Sequence, residues 1–176
     1  MDALFGGART PGARPDGDIT ALLVFGGTRT ETFAARLISQ GTVPSGQAVA
    51  ADTSGLDPLL ALAYDMAAAE AHAQGVPLSI TSGYRTPGEQ QAMWEDGIAT
   101  YGSPDAARRW VLPPEESTHV SGQAIDVGPQ AGAAWLEANG NRWGLCRIYD
   151  NEWWHFEIAT LPGAPCPPRL PDASQR

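Results

Sequence analysis

Two short segments of this 176-residue chain concentrate the side chains best suited to binding a metal ion. One has the sequence STHVSGQAID over residues 117–126, and the other is EWWH over residues 152–155. Together they hold two of the chain's three histidines, one aspartate and one glutamate. Two imidazoles and a carboxylate suit a zinc ion that keeps one coordination position open, and the remaining carboxylate suits a general base. If the segments converge, they predict a metallohydrolase.

The four side chains have separable roles. We expect His119, Asp126 and His155 to be ligands, because a catalytic zinc site takes three from the protein. Glu152 precedes His155 by three residues, so on a straight strand the two side chains would face opposite ways. Glu152 is therefore predicted to lie in the turn at 150–151. From there it can take a proton from water at the metal, whose pKa the metal lowers.

Local signals predict an α+β domain in which a mostly antiparallel central sheet is flanked by helices and carries the zinc site. Asp57-Pro58 is a good helix start and Gly75 a good stop, and Leu78 and Ile80 alternate with polar residues as in a strand. Further helices are predicted over 87–97 (stopping at Gly97), 105–110 and 135–138, and further strands over 124–128, 145–149 and 154–158.

The predicted strand at 124–128 carries one of the expected metal ligands, Asp126. Its alternation predicts that Ile125 and Val127 enter the core while Asp126 faces the other side. Because His119 lies seven residues before Asp126, the chain must bend between them, and the Ser121-Gly122 pair is the expected place.

Bulk composition excludes some partners. The formal net charge is −9, and all 11 basic residues are arginine, without a basic cluster, so we expect no nucleic-acid partner. No apolar run approaches the roughly 20 residues of a membrane span. The apolar residues 19–25 are typical of a strand rather than a signal peptide, so a signal for export is not expected in this chain.

The two cysteines, Cys146 and Cys166, suggest a disulfide that fastens the proline-rich end of the chain to its body. The alternative is a pair of buried thiols, which a count of two does not exclude.

Three motifs in order give the chain a resemblance to a known family. Residues 117–126 fit SxHxxGxAxD, residues 152–155 fit ExWH, and residues 82–85 read SGYR, with Gln90 five positions after the arginine. In these motifs the chain resembles the zinc D-alanyl-D-alanine carboxypeptidases of the vancomycin-resistance Y type, which are related to lysostaphin-like peptidases and the hedgehog amino-terminal domain. The resemblance covers roughly residues 55–160. In this family a proline-glycine pair usually precedes the histidine motif, whereas residues 114–117 of this chain read PEES.

The resemblance implies that His119, Asp126 and His155 bind one zinc ion and that Glu152 is the catalytic base. It also implies that Arg85 meets the substrate beside the metal and polarises the scissile carbonyl or its oxyanion, a role that suits a permanently charged guanidinium. The remaining candidates for substrate contact are Ser82, Gln90 and Ser117, for each of which a supporting structural role is the alternative.

The expected function is a zinc-dependent D,D-carboxypeptidase acting on peptidoglycan stem peptides. The alternatives are an L,D-carboxypeptidase, a D,D-dipeptidase, a cell-wall endopeptidase or a non-catalytic zinc-containing binding module. Residues 51–160 would form the zinc peptidase domain, 1–50 a partly flexible arm of unknown role, and 161–176 a proline-rich tail. Since stem peptides lie outside the cytoplasmic membrane, we expect an extracytoplasmic protein.

Overall fold

A four-stranded antiparallel sheet organises residues 52–176, the part of the chain described by this computed structural model. The strands follow one another across the sheet in the order β1-β2-β4-β3. Their bounds are β1 Ser79–Ser82, β2 Ala124–Gly128, β3 Leu145–Arg147 and β4 His155–Ile158. The sheet confirms the α+β fold expected from the sequence, and its two central strands are β2 and β4.

Four α-helices accompany the sheet within residues 52–176. Their bounds are α1 Pro58–Ala73, α2 Pro87–Tyr101, α3 Pro104–Ala107 and α4 Gln130–Asn139, and 3-10 turns follow at Gly140–Trp143 and Ala173–Gln175. Helix α1 begins where it was expected, because the Asp57 carboxylate accepts hydrogen bonds from Leu59 N and Leu60 N and Pro58 occupies the first turn. None of these helices is long and apolar enough to cross a membrane.

The hydrophobic core lies between the sheet and helices α1 and α4. It is formed by fully buried apolar side chains, among them Leu60, Ala67, Ile125, Leu136 and Phe156. Ile125 and Val127 are both in it, as the alternation of β2 predicts. Ile125 pairs with Phe156 across the strands, and the next pair, Asp126 with His155, presents its side chains on the opposite face. One face of the central strands therefore builds the core and leaves the other for polar groups.

Helix α2 does not end at Gly97, and that prediction was wrong. The helix continues to Tyr101 and ends at Gly102, which has a left-handed backbone with φ of 86°. Gly97 is buried inside the helix, where a Cβ atom would lie 2.5 Å from Val111 Cγ1. The glycine permits close packing of the helix on the following segment rather than a stop.

Other boundaries differ from the predicted ones by a few residues. The short helix at 105–110 is limited to α3, the helix at 135–138 starts earlier as α4, and the strand at 145–149 ends at Arg147. Turn and 3-10 geometry at these ends has no strong pattern in a single sequence.

The carboxyl-terminal segment, residues 159–176, packs against the body of the fold. A disulfide joins Cys146 in β3 to Cys166, which confirms the expected pairing. Further on, Leu170 forms a parallel bridge with Tyr149, and Ala173 is buried with Tyr149 and Leu112. The strand predicted at 19–25 and the arm predicted at 1–50 lie outside the described residues.

Candidate metal centre and active site

The three predicted ligands meet on the polar face of the central strands. Asp126 is in β2, His155 is its cross-strand partner in β4, and His119 comes from the loop before β2. One ligand atom from each lies within 4.8 Å of the others, and all three residues are buried. The loop turns back at Gly122, whose φ of 71° favours glycine and whose N–H donates to His119 O. This confirms the expected bend and brings His119 to the strands.

Two distances between the donor atoms match those of a tetrahedral zinc site. Asp126 Oδ1 is 3.3 Å from His119 Nε2 and 3.1 Å from His155 Nδ1. Two donors that each bond zinc in tetrahedral geometry are roughly 3.3 Å apart. The geometry thus agrees with the chemistry of the set, two imidazoles and one carboxylate, in accommodating zinc.

The second nitrogen of each imidazole is held by an acceptor. His119 Nδ1 is 2.8 Å from Gly83 O, and His155 Nε2 is 3.0 Å from Glu157 Oε1. A carbonyl or carboxylate in this position fixes the ring and leaves the other nitrogen free to ligate, as is usual for histidines that bind metals. Both rings are therefore oriented with their inner nitrogens toward Asp126.

The electrostatics of the cluster also favour a cation. Burial opposes ionisation of Asp126, but the two imidazoles and Arg85 hold its pKa well below the usual value. Burial and the charge of Arg85 lower the pKa of His119, which favours the neutral imidazole that binds metal. At His155, burial is outweighed by the carboxylates of Asp126 and Glu157, which raise its pKa. The negative field that favours a proton on His155 also favours a metal ion beside it.

Glu152 lies at the edge of this cluster, before β4 begins, as the sequence predicts. Its side chain is buried, and its Oε2 is 3.8 Å from His155 Nδ1. Burial, supported by the negative charge of Asp126, raises the pKa of Glu152 to about 7. A carboxylate with such a pKa is suited to accept and return a proton near neutral pH.

Arg85 is fixed by three hydrogen bonds from its guanidinium. Nη2 donates to Asp126 Oδ2 at 2.6 Å, Nε to Ser82 Oγ at 2.9 Å and Nη1 to Gln90 Oε1 at 3.2 Å. Ser82 is itself the cross-strand partner of Asp126, and Gln90 donates to Leu112 O at 2.7 Å. Ser82 and Gln90 thus hold the arginine against the cluster, and these bonds use three of its five N–H donors.

Ser117 stands apart from this group. It is buried, and it lines a shallow cleft of about 460 Å³ on the surface. None of the three predicted ligands lines that cleft; its walls come from residues 114–118, 120, 121 and 123 and from Arg176.

Four side chains around His155 were not anticipated from the sequence. Glu157 contacts its ring nitrogen, Thr118 Oγ1 and Arg176 bind Glu157, and the Tyr149 ring lies 5.1 Å from the His155 ring between centroids. Glu157 had a detectable signal, because the second residue after a strand ligand points to the same face. Arg176 had none, since its position depends on the path of the whole carboxyl-terminal segment.

The comparison with known proteins agrees with this geometry. The profile described as VanY, D-alanyl-D-alanine carboxypeptidase, matches residues 53–158. A D-alanyl-D-alanine carboxypeptidase of Enterococcus faecalis (strain ATCC 700802 / V583) is 30% identical over 119 residues, covering 53% of this chain and 44% of the relative. The chain thus spans less than half the length of that curated relative.

Two solved structures share the fold at 26% identity. One is a glutamate-to-alanine mutant of the vancomycin resistance D,D-pentapeptidase VanY from the VanB-type resistance cassette, in complex with Zn(II), with a TM-score of 0.55 over 65% of this chain and 79% of that one. The other is VanYB in complex with D-alanine-D-alanine, with a TM-score of 0.56 over 65% and 80%. The LdcB LD-carboxypeptidase, at 22% identity and a TM-score of 0.51 over 58% of each chain, supports the fold alone.

The profile covers all three sequence motifs and every residue of the His-Asp-His cluster. This chain belongs to the VanY D-alanyl-D-alanine carboxypeptidase family.

Proposed function

We propose that this protein is a zinc-dependent D,D-carboxypeptidase that releases the terminal D-alanine of peptidoglycan stem peptides. The observation that carries the proposal is the buried His119, Asp126 and His155 cluster with Glu152 beside it. Membership in the VanY family supports the reaction, and the related structures with Zn(II) and with D-alanine-D-alanine support the metal and the substrate class.

His119 Nε2, Asp126 Oδ1 and His155 Nδ1 would hold the zinc ion. A zinc ion in such a site lowers the pKa of water and polarises carbonyl oxygens. Gly83 O and Glu157 keep the two imidazoles in the tautomer that leaves these nitrogens free. The protein thus supplies a rigid three-ligand set on two adjacent strands and a loop.

Glu152 performs the proton transfers. Its carboxylate accepts a proton from the attacking water, and the carboxylic acid then gives that proton to the leaving amine of D-alanine. Both steps need a group whose two protonation states are close in free energy at the working pH, and burial raises the pKa of Glu152 toward that range. This matching supports its role as the base.

Arg85 supports the site in two ways. Its bond to Asp126 Oδ2 holds the carboxylate so that Oδ1 faces the imidazoles. The two N–H donors not used in the bonds to Ser82, Gln90 and Asp126 are available to the carbonyl oxygen of the substrate, where negative charge develops. Because stem peptides lie outside the cytoplasmic membrane, the proposal includes an extracytoplasmic location, which the Cys146–Cys166 disulfide supports.

The test is D-alanine release from a stem pentapeptide by the zinc-loaded protein and by Glu152→Ala. We expect release by the first and a loss of at least 100-fold in the second. A matched tetrapeptide, which lacks the terminal D-alanyl-D-alanine bond, tests for L,D cleavage, and a D-alanyl-D-alanine dipeptide tests for dipeptidase activity. Equal release by wild type and Glu152→Ala would contradict the assigned base, and preferential cleavage of the tetrapeptide would overturn the D,D specificity.

A further inference from the structure

The ring of His155 is held on its outer side by a carboxylate that is itself held by an arginine. Glu157 Oε1 contacts His155 Nε2 at 3.0 Å, on the side away from Asp126. Arg176 donates to Glu157 through both terminal nitrogens, Nη1 to Oε1 at 2.6 Å and Nη2 to Oε2 at 2.9 Å. Thr118 Oγ1 donates to Glu157 Oε1 at 2.9 Å.

This two-pronged contact is well placed to fix geometry. A guanidinium that meets a carboxylate through two parallel bonds sets the plane of that carboxylate. Glu157 is buried, whereas the Arg176 side chain is 36% exposed, so solvent reaches the pair from the arginine side. Arg176 Nη1 also donates to Tyr149 Oη at 2.9 Å, and the Tyr149 ring packs on His155. Arg176 thus contacts two of the groups that enclose the imidazole.

Arg176 lies outside the part of the chain that matches the family, which ends at residue 158. The segment that carries it is fastened at several points. Cys166 is bonded to Cys146, Leu170 bridges Tyr149, and Asp172 accepts a 2.9 Å hydrogen bond from Arg109 Nε. These contacts bring Arg176 to the metal centre although it follows His155 by 21 residues.

We propose that the carboxyl-terminal segment 159–176 completes the metal centre, with Arg176 acting through Glu157 as a positioning residue for the zinc ligand His155. The relay runs from Arg176 to Glu157 to His155. It orients the imidazole and strengthens its inner nitrogen as a donor, as a carboxylate behind a ligating histidine does in other zinc sites. This inference rests on the zinc site of the proposed function, and it concerns metal binding rather than the choice of substrate.

The test is the dissociation constant for zinc, measured by competition with a chromophoric chelator, for Arg176→Ala, Arg176→Lys and Glu157→Gln. We expect Arg176→Ala and Glu157→Gln to weaken zinc binding by about 10- to 100-fold. Arg176→Lys keeps the charge but loses the planar fork, so it should fall between wild type and alanine. Substitution by cobalt(II) gives a second readout, because its absorption in the visible range should change as the His155 ligand shifts.

The matched control is Arg169→Ala. Arg169 is in the same segment and also pairs with carboxylates, but its partners are the exposed Glu137 and Asp150 rather than a buried group beside His155. It should leave both the zinc affinity and the cobalt spectrum unchanged. Circular dichroism establishes that each variant is folded, and Glu157→Gln tests the relay independently if Arg176→Ala does not fold.

Unchanged zinc affinity in folded Arg176→Ala and Glu157→Gln would overturn the proposal. An increased KM with unchanged zinc affinity would also overturn it, because Arg176 would then act on the substrate from the adjoining cleft. The wild type could release no D-alanine while Arg176→Ala and Glu157→Gln still bind zinc more weakly, as expected. That result would refute the proposed activity and leave the relay supported.

Discussion

Arg85 and His155 bind opposite oxygens of the same carboxylate: Arg85 Nη2 is 2.6 Å from Asp126 Oδ2, and His155 Nδ1 is 3.1 Å from Asp126 Oδ1. The SGYR segment is therefore connected to the His-Asp-His cluster through Asp126. Because a carboxylate is planar, the position of the arginine determines the direction in which Oδ1 points. Arg85 consequently contributes to the ligand geometry as well as to the proposed contact with the substrate.

Replacement of Arg85 should impair metal binding as well as turnover. In Arg85→Ala the buried carboxylate of Asp126 loses its charged partner, and removal of one partner of a buried ion pair costs about 3–5 kcal/mol of folding free energy. We expect weaker zinc binding, by about 10-fold or more, and a lower kcat. Chelator competition measures the zinc affinity, and steady-state kinetics measure kcat. A folded Arg85→Ala protein with wild-type zinc affinity and a reduced kcat would restrict Arg85 to the substrate.

The metal content should depend on the three ligands. Elemental analysis of the purified protein should find about one zinc ion per chain, and His119→Ala and Asp126→Asn should reduce it strongly. Zinc added to chelated wild type should raise the Tm, because a ligand that binds only the folded state stabilises it. His72→Ala is the matched control, since His72 contacts Leu78 O outside the cluster. Retention of zinc by His119→Ala would contradict the ligand set.

Glu152→Gln should separate catalysis from metal binding. The amide keeps the size of the side chain but does not accept the proton, so we expect kcat to fall by about 10²- to 10⁴-fold while the zinc content is unchanged. Asp150→Asn removes an exposed carboxylate two residues away and should leave kcat unaffected. Loss of zinc from Glu152→Gln would show that Glu152 is a ligand.

Loss of the disulfide should destabilise the fold. The bridge spans 20 residues, and closing a loop of this length stabilises a protein by about 3 kcal/mol in the chain-entropy account. Cys146→Ser with Cys166→Ser should lower the free energy of urea unfolding by this order. A double variant as stable as the oxidised wild type would show that the other contacts of the segment hold it without the bridge.

The stability should also depend on pH through Asp172. Burial opposes ionisation of Asp172, but hydrogen bonds from Ser174 and Arg109 outweigh it and lower its pKa. Because the folded pKa lies below that of the unfolded chain, about 3.9, the stabilisation is fully present above that value and is lost as the pH falls through the folded pKa.

Asp172→Asn should remove this contribution. Its free energy of unfolding should fall less than that of the wild type as the pH decreases from about 5 to 2. Urea unfolding at several pH values measures the difference, and parallel pH profiles for the two proteins would contradict the assignment.

The sequence was sufficient for the parts of the site that depend on local pattern. The alternation of β2 gives the opposite orientation of Ile125 and Asp126, and the helix start at Asp57 follows from a side-chain cap. The strands of the central sheet were also predictable from their local patterns, although only β3 and β4 follow each other without a helix between them. The roles of Glu152 and Arg85 followed from motif resemblance and remain predictions, which the geometry now makes specific.

The features that were missed depend on contacts distant in sequence. Gly97 looks like a helix stop, but its role is set by Val111, which packs on it from another segment. Gln90 and Ser82 each accept a hydrogen bond from Arg85, which the motif spacing does not reveal, and their contact with substrate stays a prediction. The connection of Arg176 to Glu157 requires the complete path of the last 18 residues, which no local periodicity encodes.

The pairing of Asp126 with His155 across β2 and β4 makes the metal centre sensitive to strand register. A slip of one residue in either strand would turn its ligand toward the hydrophobic side of the sheet and separate the two donors. A chain that pairs these strands wrongly would therefore lack the donor set, and metal bound during folding would select the native alignment. A metal ion that needs the complete donor set would stabilise the native register relative to any shifted one.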